Sequence, residues 1–223
     1  MLNNLNQEIK VCAIIPFYNE EDFLTDVVTE TLEYVDKVFA VDDGSTDNST
    51  KKINYFDRVQ LISLDRNYGK GYALQSGFDE AIVQGFDIII TLDADKQHNP
   101  EFIPDFLSKA AEYDIVIGNR LNDIKIMPIQ RVISNTITSR LLSIKTGQKI
   151  LDSQCGFRAY RSRVIKKVKS HSFGYEAESE MIIYAARAGF RIGFTNISTI
   201  YGDEKSKMNS FKAISGFVKI LFR

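Results

Sequence analysis

The sequence predicts an α/β protein built on a doubly wound, mostly parallel central sheet with helices on both faces. Two observations predict it. Short apolar, β-branched runs recur along the chain, and between them lie stretches of helical length whose apolar residues repeat with the helical period. Strands that alternate with helices need crossover connections, and these bring successive strands parallel into one sheet. A third observation points to where chemistry belongs: each run ends in a polar or glycine-containing segment, and such sheets bind ligands beyond the carboxyl ends of their strands.

The first run, Val11 to Pro16, passes through Pro16-Phe17-Tyr18-Asn19-Glu20 into an amphipathic helix over Asp22 to Tyr34. The second, Val38 to Val41, ends in Asp42-Asp43-Gly44-Ser45, which has the composition of a turn. Val59 to Leu64 is the third, leading through Asn67-Tyr68-Gly69-Lys70-Gly71 into a helix over Gly71 to Gln84. The fourth, Ile88 to Leu92, stops at Asp93-Ala94-Asp95, and the fifth, Ile115 to Ile117, stops at Gly118-Asn119-Arg120. From about Met127 the pattern changes to a helix over Gln130 to Lys145, a loop Asp152 to Gly156, a short strand Phe157 to Tyr160 and a helix over Glu176 to Ala188. Residues 1–208 read as one catalytic domain and 209–223 as an amphipathic carboxyl-terminal helix.

A chain of 223 residues is long enough for one substantial core, and no linker or charge block divides it. A net charge of −1 and a pI near 6.2 argue against a nucleic-acid partner. No stretch reaches the ~20 apolar residues that span a bilayer. The polar start Met1-Leu2-Asn3-Asn4 lacks a basic segment and an apolar region, so the expectation is a cytoplasmic protein. Cys12 and Cys155 are distant and fit reduced thiols; His98 and His171 are too isolated for a histidine-based metal site and read as surface residues or residues behind a site.

The chemistry is concentrated at the fourth run. A buried strand that ends in two carboxylates one residue apart delivers both to the same mouth, where they can hold a divalent cation against a diphosphate. Acidic residues in that position also serve as plain turn formers. Asn19, Glu20 and the Asp42 segment have a similar double reading, as helix cap and turn or as ligand contacts. Gly69 and Gly71 read as turn and helix-start residues. Glu176, Glu178 and Glu180 form an acidic first turn that the helix dipole explains.

Taken in order, these motifs resemble those of the inverting glycosyltransferases with a GT-A fold, above all the dolichyl-phosphate mannose synthase and polyprenyl-phosphate glycosyltransferase branch. The resemblance runs from Val11 to about Lys207. It implies a metal-dependent transferase that moves a hexose from a GDP- or UDP-sugar to a polyprenyl or dolichyl phosphate, with Mg2+ or Mn2+ as cofactor. By the same resemblance Asp95 and Gln97 bind the metal, with Asp93 and Ala94 against nucleotide and metal. Pro16, Tyr18, Glu20 and Asp43 then hold the base and ribose, and Arg120 meets the diphosphate. Arg131 is matched to the acceptor phosphate, and Lys205 and Lys207 to a loop over donor and acceptor phosphates. Nucleotidyltransferases open with a glycine-rich, arginine-containing loop, which Pro16-Phe17-Tyr18-Asn19-Glu20 is not.

An acceptor phosphate is already anionic and needs no strong base, whereas a sugar hydroxyl does. Asp152 is the candidate base for that alternative, a transferase acting on a glycan or other hydroxyl. A catalytically idle nucleotide-sugar-binding scaffold is the alternative from another class. In the last segment Phe211, Ile214, Phe217, Val218 and Leu221 fall on one side and Lys212, Lys219 and Arg223 on the other. Such a helix lies either on the cytoplasmic membrane face, as the lipid acceptor suggests, or on the domain.

Overall fold

In the computed structural model, which describes residues 8–53, 55–122, 127–199 and 217–221, strands and helices alternate as the apolar pattern requires. They are β1 (Val11–Phe17), α1 (Leu24–Thr31), β2 (Lys37–Asp42), α2 (Ser49–Ile53), β3 (Val59–Ser63), α3 (Lys70–Val83) and β4 (Ile88–Thr91). A 3-10 turn (Pro100–Phe102) then precedes α4 (Ile103–Lys109), β5 (Ile115–Asn119), α5 (Ile129–Thr146), β6 (Arg158–Arg161), α6 (Ser162–Lys167), α7 (Glu176–Arg187) and β7 (Ile192–Asn196).

The strands form one 7-stranded sheet in the order β3-β2-β1-β4-β6-β5-β7. All pairings are parallel except those of β6, which runs antiparallel to β4 and β5. Every residue of β1, β4 and β5 is buried, so the sheet is covered on both faces and its central strands are continuously apolar. The reversed strand has a functional consequence. Arg158, the first residue of β6, pairs with Thr91 and with Ile117 near the carboxyl ends of β4 and β5, so the loop entering β6 is delivered to the ligand end of the sheet.

β7 is absent from the expected strands, and its composition explains why. Ile192-Gly193-Phe194-Thr195-Asn196 has a glycine near its centre, which weakens a strand signal, yet Gly193 is required because a Cβ there would enter the Tyr113 ring. Near the carboxyl terminus, Ile220 is buried in the core, Phe217 and Leu221 pack against it, and Val218 is exposed. Lys145 Nζ donates to Leu221 O at 2.8 Å. The anticipated apolar stripe is therefore partly re-assigned: Val218 leaves it and Ile220 joins it, while Phe211 and Ile214 lie outside the described residues.

Helix α3 crosses β1 at Gly77, where a Cβ would sit 2.6 Å from Ile14 Cγ2. Ile14 is fully buried in mid-strand and cannot move aside cheaply. Gly77→Val is expected to destabilise the protein by about 1–3 kcal/mol through overpacking. Denaturant unfolding of the variant and parent measures this, and equal stabilities would contradict the close crossing.

Candidate active site

Strand order reverses at β1, which pairs with β2 on one side and β4 on the other. The crevice at such a switch point is where ligands enter a doubly wound sheet. Its rim is stitched by side chains. Asn19 adopts a left-handed φ of 56°, and its Oδ1 accepts from Thr46 N at 2.8 Å. Ser45 Oγ accepts from Asn19 N and Ser49 Oγ from Glu20 N, both at 3.0 Å. Asp43 is buried, and its two oxygens accept from Tyr68 N at 2.7 Å and Gly69 N at 2.9 Å. Burial pushes its carboxyl up from the ordinary range, against the pull of those two bonds. Asp43 thus straps the second strand to the head of α3, beside the exposed Tyr18 ring and the half-buried Glu20.

Asp93 and Asp95 follow β4 into the same crevice, both partly exposed, with Ala94 buried between them. Lys70 Nζ lies 2.6 Å from Asp93 Oδ1 and 3.0 Å from Glu178 Oε2. Desolvation raises the Asp93 carboxyl, but the Lys70 ammonium and the His98 contact outweigh it and hold it well below the usual carboxylate range. Burial alone would lower Lys70; Asp93 and Glu178 instead raise it. His98 is buried, its Nε2 3.7 Å from Asp93 Oδ2 and its ring 5.5 Å from that of Phe157, so of its two expected settings it takes the one behind the site. Lys96, with φ of 60°, reaches out to Asp26 of α1 at 2.7 Å. Asp95 Oδ1 accepts from Gln97 N at 3.1 Å, so the metal candidates Asp95 and Gln97 share one turn. Carboxylate and amide oxygens are hard donors that fit Mg2+ or Mn2+. Among the described residues no group of three His, Cys, Asp or Glu side chains is placed to hold a metal ion.

Above Asp93 lies the loop that enters β6. A Cβ on Gly156 would stand 2.6 Å from Asp93 Oδ2 and 2.7 Å from Lys70 Nζ, so a larger residue here would have to displace the ends of this ion pair. Arg158, fully buried, fixes the loop by donating to Cys155 O at 2.7 Å, Ser153 O at 3.0 Å and Glu178 O at 2.8 Å. Asp152 is also fully buried. Its carboxylate takes a two-pronged bond from Arg120, Nε to Oδ2 at 2.8 Å and Nη2 to Oδ1 at 3.0 Å, and a further bond from Asn135 Nδ2 at 2.6 Å. Burial would raise this carboxyl, yet the Arg120 and Asn135 bonds bring it below the ordinary range. Arg131 is half-buried in the first turn of α5. Lys205 and Lys207 lie outside the described residues.

Lys70, Glu178, Arg158 and Gly156 were not singled out from the sequence as site residues. Lys70 is flanked by the glycines of Gly69-Lys70-Gly71, and their packing shows its importance. Gly69 has φ of 106°, and a Cβ on Gly71 would stand 2.5 Å from Ala177 Cβ. Both glycines let the helix head approach 172–177 closely enough for Lys70 to reach Glu178.

A doubly wound sheet with paired carboxylates at its switch point is the arrangement expected of a nucleotide-sugar-dependent glycosyltransferase, and the likeness to known proteins bears this out. The chain belongs to glycosyl transferase family 2, whose model matches residues 12–169. It is 32% identical over 239 residues to the "UDP-N-acetylglucosamine--dolichyl-phosphate N-acetylglucosaminyltransferase" of Methanococcus voltae, covering 96% of this chain and 94% of the relative. It is 33% identical over 210 residues to the undecaprenyl-phosphate 4-deoxy-4-formamido-L-arabinose transferase of Proteus mirabilis, covering 88% of this chain but only 62% of that longer relative. The fold matches that of glucosyl-3-phosphoglycerate synthase from Mycobacterium tuberculosis, solved with Mn2+, UDP and phosphoglyceric acid, with a TM-score of 0.75 at 16% identity over 96% of this chain and 78% of the other. This is the GT-A architecture that the motifs implied.

The loop that packs on the α3 head is itself held by Glu180. Its Oε2 accepts from Ser170 Oγ at 2.7 Å, His171 N at 2.8 Å and Ser172 N at 2.9 Å, and its Oε1 from Tyr184 OH at 3.0 Å. Burial pushes this carboxyl up, but the four bonds win and hold it at about 2. A folded pKa below the unfolded value of ~4.3 contributes stability that is fully present above ~4.3 and is lost as pH falls towards the folded value. Glu180→Gln is therefore expected to be less stable than the parent near neutrality, with the gap narrowing below about pH 4.3. Unfolding curves at a series of pH values check this, and a gap that widens on acidification would contradict it.

Proposed function

We propose that this glycosyltransferase moves a hexose, with inversion, from a GDP- or UDP-sugar to a polyprenyl or dolichyl phosphate on the cytoplasmic membrane face. The observation that carries the reading is the state of Asp152. The carboxylate best placed in sequence to activate a hydroxyl is buried and bonded to Arg120 and Asn135, which suits an acceptor that arrives already ionised. The names of the relatives from Methanococcus voltae and Proteus mirabilis support the same acceptor class.

In this reading Pro16, Tyr18, Glu20 and Asp43 line the base and ribose, and Asp93 and Ala94 lie against the diphosphate. Asp93, Asp95 and Gln97 are the residues that would hold Mg2+ or Mn2+, whose chemistry is to neutralise the diphosphate as it leaves. Arg120, oriented by Asp152, presents a guanidinium to the phosphates. Arg131 holds the acceptor phosphate in line with the sugar carbon. The acceptor oxygen attacks that carbon as the bond to the diphosphate breaks, and no proton has to be removed. Lys205 and Lys207 are assigned to the loop over both phosphates. Among the described residues no helix is long and apolar enough to cross a membrane.

Asp95→Ala is expected to lower transfer by at least ~100-fold, the scale of one strong electrostatic stabiliser, while melting as the parent does. Because Asp95 is partly exposed at a strand end, its loss removes charge and leaves the core intact. Transfer assays with EDTA and with Mn2+ restored test the metal, and full activity in EDTA would contradict the assignment.

Arg131→Ala is expected to weaken transfer at least tenfold while nucleoside-diphosphate binding changes less than twofold, as loss of one charge-assisted contact to the acceptor alone requires. Calorimetry and a transfer assay separate the two. Equal losses in both would place Arg131 on the donor side.

A further inference from the structure

Helix α5 is apolar on the outside. Its inner face is polar: Asn135 and Ser139 are buried there with Leu142, Asn135 bonding Asp152 and Ser139 Oγ accepting from Ser153 N at 2.9 Å. Its outer face carries Ile129, Ile133, Ile137, Leu141 and Ile144, exposed by 68, 53, 54, 39 and 75%. At helical geometry these side chains share an arc of about 120° and a length of about 22 Å, with the exposed Arg140 and Gln130 inside the same arc. A helix of a water-soluble domain turns its apolar stripe inward, and five outward aliphatic side chains on one face mark a surface that meets something else. The charge pattern says what. Ile129–Thr146 contains Arg131, Arg140 and Lys145 and no acidic residue, and the exposed Lys149 follows. A second copy of this helix would bring like charges together. An anionic lipid surface complements them.

We propose that the outer face of α5 is the membrane-docking surface of this protein, lying in the interfacial plane of an anionic bilayer with the isoleucines in the acyl boundary and Arg140 and Lys149 among the headgroups. It deepens the proposed lipid-phosphate acceptor and rests on that reading for its purpose, though not for its evidence. The same helix carries Arg131 in its first turn and Asn135, which bonds the Asp152 loop, so docking along this face brings the bilayer surface to the acceptor side of the site. In the described part of the carboxyl-terminal segment Phe217, Ile220 and Leu221 pack on the core and Val218 is exposed.

The test uses the full chain with phosphatidylglycerol vesicles and with phosphatidylcholine vesicles. The parent is expected to co-sediment with the anionic vesicles. Ile133→Asp/Ile137→Asp should weaken this at least tenfold, and Arg140→Glu/Lys149→Glu should do the same while keeping all five aliphatic side chains. Both variants should melt as the parent does, because all four positions are exposed. Transfer to a short, water-soluble polyprenyl phosphate should survive in both. Vesicle binding unchanged by the isoleucine substitutions overturns the proposal, as does a parent dimer dissolved by them without vesicle binding. Failure of the acceptor reading looks different: the outer face of α5 controls vesicle binding, yet no lipid phosphate accepts sugar from the parent.

Discussion

Lys70 stands between two carboxylates, Asp93 at the end of β4 and Glu178 on α7, and the geometry of the site depends on this contact. Glu178 lies in turn 3.6 Å from Arg158, whose guanidinium holds the carbonyls of the loop that covers Asp93. Charges of alternating sign therefore run from the crevice at the end of β4 to the loop that enters β6. Such an arrangement adds little net stability, since desolvation consumes much of the attraction, but removing one member leaves a neighbour uncompensated at a cost of about 3–5 kcal/mol. Its value is positional. The glycines around it follow from the same constraint, because Gly71 admits the helix head to α7 and Gly156 admits the loop to the ion pair.

A second constraint acts where the loop entering β6 meets α5. Burying the Asp152 carboxylate requires donors on every side, and Arg120 and Asn135 provide them. That need makes the inner face of α5 polar. With its polar residues committed inward, the helix carries its isoleucines outward, so the internal hydrogen bonding and the outward aliphatic side chains are two consequences of one arrangement. The carboxylate positions an arginine and a helix.

The likeness to the Mycobacterium tuberculosis synthase shows how little of this resides in the sheet. At 16% identity the two chains keep the same strand arrangement, which shows the fold and leaves the acceptor to the loops and helices around it. In this chain those are the entry to β6, the head of α3 and the two faces of α5.

The apolar runs determined the central strands, because burial on both faces leaves a continuous signal that needs no knowledge of neighbours, while β7 at the sheet edge escaped them. They also located the crevice residues Tyr18, Glu20, Asp43, Asp93 and Asp95, since a polar segment at a strand end is visible locally. The limits of α5 came out within a residue at each end, Gln130 to Lys145 expected against Ile129–Thr146 found. Only the tertiary structure decided what those residues touch. Glu178 looks in sequence like a charge suited to a helix start, and Lys70 like a residue between two turn glycines; their contact joins positions far apart in the chain. Asp152 looks like an available base until Arg120 and Asn135 are folded against it. The isoleucines of α5 share one face in either setting, and periodicity reports that a helix has two faces without saying which one meets the core. Orientation is fixed by long-range pairing, which local composition does not encode.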